Sequence, residues 1–171
     1  MKIPVEKEKK GLILFFSSTG RTQAPMLRLM EALDGDRIIA LRSVKPYTGF
    51  MGFARAVREA RSSLPAQLEP LTEPLDPARY DFAVIGTPVW AGRTASPVRT
   101  FLEQNDLSSI RQVAYVATHS DPREQTAVWD QLDALTHKKR VAGLSLSKQM
   151  PEPNKEKLAA FIEELKEKFA L

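Results

Sequence analysis

The sequence contains no cysteine and only two histidines, His119 and His137. The lack of cysteine excludes disulfides, cysteine-ligated zinc, iron–sulfur clusters and any thiol nucleophile or thiol redox pair. Two histidines also argue against a metal site built from imidazole ligands. Redox chemistry on this chain therefore requires a cofactor that the protein binds.

Long apolar segments are also missing. The longest apolar run, residues 12–16, is far too short to cross a bilayer. Residues 1–10 have neither the apolar core nor the small-residue cleavage site of a secretory signal. We therefore expect no membrane insertion and a cytoplasmic location.

The charge is mildly positive, with a formal net charge of +4. Lysines and arginines are scattered along the chain, and the one tight basic cluster is at residues 138–140. No basic stripe with interleaved aromatic residues is present, so we expect no nucleic-acid partner.

Apolar segments and amphipathic segments alternate along the 171 residues. Five segments are typical of short strands in a buried parallel sheet, at residues 11–16, 37–41, 81–86, 112–118 and 140–146. Helical spacing of apolar residues follows the first strand and continues to Leu33, and a second helix is predicted near residues 50–61. Ser96 as N-cap before Pro97 predicts a third helix, and a capping box at residues 121–124 predicts a fourth. A final helix follows Pro153.

This alternation predicts a single α/β domain spanning residues 1–171. Residues 1–10 are expected to form a short tail or an extension of the first strand. The expected architecture is a three-layer sandwich with a five-stranded parallel sheet in the order 2-1-3-4-5. In that order a ligand binds beyond the carboxyl ends of strands 1 and 3, where the strand order reverses.

The loop after the first strand reads Ser17-Ser18-Thr19-Gly20-Arg21-Thr22, is rich in hydroxyl groups and is followed by a helix. Such a loop suits a phosphate, because the helix start offers free N–H groups and Gly20 allows the backbone to turn tightly. The spacing resembles the phosphate loop of the flavodoxin family, Ser/Thr-x-Thr-Gly-x-Thr. The alternative is a plain serine-rich capping loop. The resemblance implies an FMN phosphate site at Ser17, Ser18, Thr19, Gly20, Arg21 and Thr22.

The loop after the third strand reads Gly86-Thr87-Pro88-Val89-Trp90-Ala91-Gly92-Arg93. This pattern is similar to the second flavin loop of many flavodoxin-like proteins. Trp90 would stack on the planar flavin ring, and Gly92 would let the backbone approach the ring edge. The alternative is that Trp90 folds back onto the core. The residues predicted to bind here are Thr87, Pro88, Val89, Trp90, Ala91 and Gly92.

The loop after the fourth strand departs from the family pattern, because it lacks the usual glycine. The resemblance implies that Thr118, His119, Ser120 and Asp121 line the pyrimidine edge of the flavin. His119 is a candidate for stabilising negative charge on the reduced ring and so favouring two-electron chemistry. The alternative is a solvent-exposed loop histidine. Asp121 has a second expected role as the helix cap.

Three functions remain open at this point. The first is an FMN-binding electron carrier that exchanges electrons with a redox partner protein. The second is an FMN-dependent oxidoreductase that takes hydride from NADH or NADPH and reduces a quinone-type acceptor. The basic surface favours the second, since typical flavodoxins are strongly acidic and Arg21, Arg93 and Arg123 lie on predicted ligand-side loops. The third is a flavin-free binding module on the same fold. The long crossover at residues 45–75 has two open interpretations, a cover over the site or an oligomer contact, and the sequence predicts no oligomeric state.

Overall fold

The central feature is a parallel sheet, seen in a computed structural model that describes residues 7–171. Its strands are β1 Gly11–Phe16, β2 Arg37–Leu41, β3 Phe82–Trp90, β4 Arg93–Thr94, β5 Gln112–His119 and β6 Ala142–Ser147. The five long strands are parallel in the order β2-β1-β3-β5-β6. The predicted α/β architecture is confirmed. The short β4 is an additional strand that pairs antiparallel with the end of β3.

Within residues 7–171, five α-helices flank the sheet. Their bounds are α1 Gln23–Ala32, α2 Gly49–Ser62, α3 Ser96–Gln104, α4 Ala127–Thr136 and α5 Pro151–Phe169. Helices α1 and α5 pack on one face of the sheet, whereas α3 and α4 pack on the other. No helix among residues 7–171 is long and apolar enough to span a bilayer. Of the predicted N-terminal tail, residues 1–6 lie outside the described residues, and residues 7–10 form no regular element.

The alternation of side chains along β1 explains the three layers. All six residues of β1 are buried, because helices cover both faces of the sheet. Leu12 and Leu14 belong to the core beneath α3 and α4. Ile13 and Phe15 point to the opposite face and pack in the core beneath α1 and α5. The period of two thus divides one apolar run between two cores.

Several predicted boundaries were wrong, and the reasons are local. Strand β3 continues to Trp90, since its last two residues pair with β4 instead of forming a free loop. Strand β5 likewise extends one residue beyond the predicted boundary, to His119. The N-cap of α3 is Ala95, not Ser96. Ser96 is the first helical residue, and its hydroxyl donates to the buried Glu59 carboxylate at 2.5 Å.

The predicted capping box at residues 121–124 was also wrong. Helix α4 begins at Ala127, and its N-cap Thr126 makes no side-chain capping bond. The Asp121 carboxylate instead accepts from the backbone N–H of Arg123 at 2.9 Å and from the Arg123 guanidinium. An aspartate that bonds two residues ahead forms a turn, which competes with helix formation.

The long crossover between β2 and β3 is closed by a backbone bridge between its own two ends. Ser43 forms an antiparallel bridge with Leu68, so the two ends of the segment that carries α2 run side by side. Within this segment, α2 passes very close to the turn before it. A Cβ on Gly52 would lie 2.5 Å from the carbonyl carbon of Tyr47. Glycine is therefore required for α2 to close against the backbone of Tyr47.

We expect Gly52→Ala to destabilise the fold by about 1–3 kcal/mol, since the added methyl group must push rigid backbone aside. Thermal or urea unfolding measures this loss. Ala54→Ser is the matched control, because it adds one atom to an exposed position of the same helix. Equal stability of the two variants would contradict the close approach seen at Gly52.

Candidate functional site

A cleft lies at the carboxyl ends of β1, β3 and β5, at the point where the strand order reverses. Its volume is about 570 Å³, within the ~300–1,000 Å³ typical of small-molecule sites. All three predicted loops contribute to it. The predicted residues that line it are Ser18, Thr19, Arg21, Thr22, Pro88, Val89, Trp90, Ala91, Gly92, Thr118, His119, Ser120 and Asp121.

Three predicted residues support the cleft without lining it. The Ser17 hydroxyl accepts from the N–H of Gly20 at 3.0 Å and so shapes the first loop. Gly20 itself has a φ of +86°, in the left-handed region that favours glycine. Thr87 is fully buried, and its hydroxyl accepts from the N–H of Ala95 at 3.1 Å, which fixes the start of α3.

The first loop presents unused backbone donors at the start of α1. Among residues 7–171, the N–H groups of Thr19, Arg21 and Thr22 donate to no acceptor. Thr19 and Arg21 are exposed at the cleft. Free N–H groups at a helix N-terminus, together with the helix dipole, favour an anionic group such as a phosphate.

A hydrogen bond ties the first loop to the third. The hydroxyl groups of Thr22 and Thr118 lie 2.7 Å apart, and both side chains are buried. Thr22 ends the first loop and Thr118 belongs to the end of β5, so the bond spans β3. The relative position of the two loops is therefore fixed by the protein itself.

The second predicted loop is a tight hairpin. Trp90 pairs with Arg93 across a two-residue turn formed by Ala91 and Gly92. Both turn residues have positive φ, +51° at Ala91 and +73° at Gly92, as a type I′ hairpin requires. The residues that line this side of the cleft therefore belong to a hydrogen-bonded hairpin and not to a free loop.

Trp90 forms part of an aromatic wall. Its ring meets Phe16 edge to face, with centroids 5.7 Å apart, and lies 4.7 Å from the ring of Tyr47. Trp90 is half-buried and still lines the cleft. Trp90 therefore packs against the core on one side and contributes to the cleft surface on the other. The two interpretations of this residue, core packing and ligand contact, do not exclude each other.

Tyr47 is held by a buried carboxylate. Its hydroxyl donates to Glu59 at 2.6 Å, and the Arg55 guanidinium lies 4.3 Å from the centre of its ring. Burial and the bond to Glu59 raise the pKa of Tyr47 to about 12, so the phenol keeps its proton at neutral pH. The crossover thus supplies one wall of the cleft.

His119 is buried, not solvent-exposed, and both of its ring nitrogens are engaged. Nδ1 lies 2.8 Å from the carbonyl oxygen of Asp121, and Nε2 lies 2.7 Å from the hydroxyl of Ser145. A carbonyl oxygen only accepts, so Nδ1 carries the proton and Nε2 accepts from Ser145. Burial lowers the pKa of His119, which keeps the ring neutral near pH 7.

The charged groups at the rim are mostly basic. Arg123, one of the predicted ligand-side cations, pairs with Asp121 and is compensated. Arg42 pairs with Glu69. The hydrogen bonds from Arg123 lower the pKa of Asp121 to about 2. Among residues 7–171, no ion pair involves Arg21, Arg61 or Arg93. Arg21 and Arg61 line the cleft.

The sequence prediction missed the residues that come from the crossover and from the segment before α4. The turn at Tyr47 was recognised, but the distance of 43 residues between Tyr47 and Trp90 hid their contact. Only the run of apolar and basic residues along α2 offered a signal. The missed residues of the cleft are Tyr47, Phe53, Ala56, Val57, Arg61 and Gln125.

The sheet order, the two-sided helical cover and the cleft at the switch point define a flavodoxin-like fold. No protein-family profile matches the sequence, and no curated protein matches it. Solved structures do. A flavoprotein in complex with FMN from Lactobacillus acidophilus is 19% identical with a TM-score of 0.64, covering 86% of this chain and 99% of its own.

Two further structures show the same similarity. A protein from Bacteroides eggerthii, classed as a flavoprotein, is 20% identical with a TM-score of 0.72, covering 91% of this chain and 97% of its own. Oxidised flavodoxin 2 from Bacillus cereus is 20% identical with a TM-score of 0.55, covering 93% and 99%. At these identities the similarity establishes the fold.

The burial of His119 predicts a pH effect on stability. Because its pKa is lower in the folded chain than in the unfolded one, its contribution is present above the unfolded pKa of about 6.5. It is lost as the pH falls through the folded pKa. We expect His119→Gln to flatten the decline of unfolding free energy as the pH falls below about 6.5, measured by urea denaturation.

His137→Asn is the control for this experiment. It removes the other histidine at a helix end where φ is +55°, a conformation that asparagine tolerates. The control should leave the decline unchanged. The same flattening in both variants would show that the burial of His119 is not its cause.

Proposed function

We propose that this protein binds one FMN in the cleft and carries electrons through it. The observation that carries the proposal is the first loop, where backbone N–H groups without acceptors lie at a helix start within the cleft. This arrangement fits a single terminal phosphate. The FMN-bound structure from Lactobacillus acidophilus, which shares the fold, supports the same ligand.

The rest of the cleft fits a planar ring. Pro88, Val89 and Trp90 form an apolar strand edge on one side, and Thr118 to Asp121 supply polar atoms on another. An aromatic wall with a few fixed polar groups is what a flat heteroaromatic ligand requires. In this arrangement the phosphate loop sets the position of the ligand and the hairpin sets the plane of its ring.

The titratable groups of the cleft favour a carrier over an acid–base catalyst. Tyr47 keeps its proton, Asp121 stays ionised and His119 stays neutral near pH 7. A general acid or base works best with a pKa near the operating pH. A bound flavin supplies the electron transfer, and these side chains bind and orient it without exchanging protons themselves.

A second candidate function is reduction of an acceptor with NADH or NADPH as hydride donor. The observation that favours it is that Arg21 and Arg61, which line the cleft, take part in no ion pair among residues 7–171. Cations around a flavin attract the phosphates of a reduced nicotinamide nucleotide. Both ring nitrogens of His119 already form hydrogen bonds to protein atoms. This arrangement argues against the hypothesis that His119 stabilises a reduced flavin, because neither nitrogen is free to contact the ring.

The phosphate assignment predicts the effect of Thr19→Val. Losing one hydroxyl donor to a charged phosphate costs roughly 1.5–3 kcal/mol, so we expect FMN to bind at least about tenfold more weakly. Riboflavin lacks the phosphate, and its affinity should change little. Fluorescence titration with both ligands measures the difference. Thr72→Val alters an exposed threonine away from the cleft and is the control. Equal losses for FMN and riboflavin would contradict a phosphate site in this loop.

The function itself is tested by absorption spectroscopy. Purified protein is incubated with excess FMN, desalted and then treated with NADPH without oxygen. We expect a retained flavin band that NADPH alone does not bleach, because a carrier needs a separate reductase. Bleaching by NADPH would instead identify the oxidoreductase. A protein that retains no flavin would refute both and favour the flavin-free module.

A further inference from the structure

Helix α2 exposes an apolar surface beside the cleft. Phe50, Met51 and Phe53 are exposed by 82%, 79% and 67%, which is far more than large apolar side chains usually show. They lie in the first turns of the helix. A contiguous exposed apolar patch of this kind marks a site of interaction.

The same face becomes cationic toward the C-terminal end of α2. Residues 50, 53, 57 and 61 follow each other at intervals of three or four, so they lie along one side of the helix. Arg58 and Arg61 continue this side, and both are exposed. Among residues 7–171 neither of them takes part in an ion pair. We call this side, formed by Phe50, Met51, Phe53, Val57, Arg58 and Arg61, the α2 face.

The remaining charged residues of α2 do not belong to this face. Arg55 lies over the Tyr47 ring and pairs with Glu59 at 3.6 Å. Glu59, the single acid of the helix, is buried and accepts from Tyr47 and Ser96. The α2 face therefore combines aromatic and aliphatic side chains with positive charge and presents no carboxylate.

The α2 face is continuous with the cleft. Phe53, Val57 and Arg61 line the cleft on one side and belong to the face on the other. Whatever binds the face lies directly against the opening of the cleft. Arg21 is a further exposed cation that lines the cleft.

We propose that the α2 face is the docking surface for an acidic redox-partner protein. Carboxylates of the partner pair with Arg58 and Arg61, and an apolar patch of the partner covers Phe50 and Met51. The charge decides the kind of partner. A second copy of this chain packed through the same face would bring cations against cations, whereas an acidic protein complements the face. The inference rests on the proposed function, since the position beside the cleft matters only if the cleft holds an electron carrier.

The test uses the FMN-loaded protein and two probe proteins of opposite charge, an acidic plant-type [2Fe–2S] ferredoxin and the basic cytochrome c. Binding is measured by isothermal titration calorimetry at about 50 and 300 mM salt. We expect the ferredoxin alone to bind, with lower affinity at the higher salt, because exposed ion pairs are screened within about 10 Å at 0.1 M.

The variant Phe50→Ser with Arg58→Glu should weaken ferredoxin binding at least tenfold. Neither residue lines the cleft, so FMN retention should not change. The control is Leu27→Ser with Arg111→Glu, which makes the same change in polarity and charge at exposed positions outside α2. It should bind ferredoxin as the original protein does.

Four results would overturn the proposal. These are no binding of ferredoxin, equal binding of cytochrome c, equal losses in the two variants, and self-association that the α2 variant alone abolishes. Binding to vesicles of phosphatidylglycerol and phosphatidylcholine through this face, without ferredoxin binding, would assign it to a membrane surface. The flavin band of each sample separates the two proposals. Ferredoxin binding to a protein that retains no FMN would refute the proposed function and with it the redox role of the partner, and would leave the α2 face only as a docking surface for an acidic protein.

Discussion

A single buried carboxylate determines how the crossover meets the sheet. Glu59 accepts hydrogen bonds from Tyr47 at 2.6 Å and from Ser96 at 2.5 Å, and it pairs with Arg55. It thereby joins the turn before α2, the helix itself and the first residue of α3. A buried charge is tolerated only when its partners are in place, and removal of one of them leaves the charge uncompensated. The aromatic wall, the edge of the cleft and the orientation of the α2 face all depend on this junction.

The sheet was predictable because its strands are buried on both faces. A continuous apolar run such as residues 11–16 has few other interpretations in a chain of alternating elements. The positions of the three loops followed from the strand order, and the structure brings them together. Their assignment to FMN remains a prediction.

The errors arose where tertiary pairing overrides local signals. Asp121 followed by proline has the pattern of a helix cap. In the structure, however, the Asp121 carboxylate accepts hydrogen bonds from Arg123 and forms a turn. Ser96 before proline has the same pattern, yet its hydroxyl donates a hydrogen bond to the buried Glu59 and does not cap α3. The polar His119 was assigned to a loop, since the sequence does not show that Ser145, 26 residues later, would satisfy it inside the protein. Each case depends on a partner distant in sequence.

The hairpin at Ala91 and Gly92 bears on how tightly a ligand can be held. A loop that must become ordered around its ligand loses conformational entropy at that moment, and the loss is subtracted from the affinity. Here the ladder between β3 and β4 has already fixed the backbone during folding. The left-handed conformation of Ala91 costs about 1–2 kcal/mol for a non-glycine residue. The folding free energy of the domain offsets this cost before any ligand binds. This side of the cleft is therefore preorganised, and the entropic cost of ligand binding falls on the ligand more than on the protein.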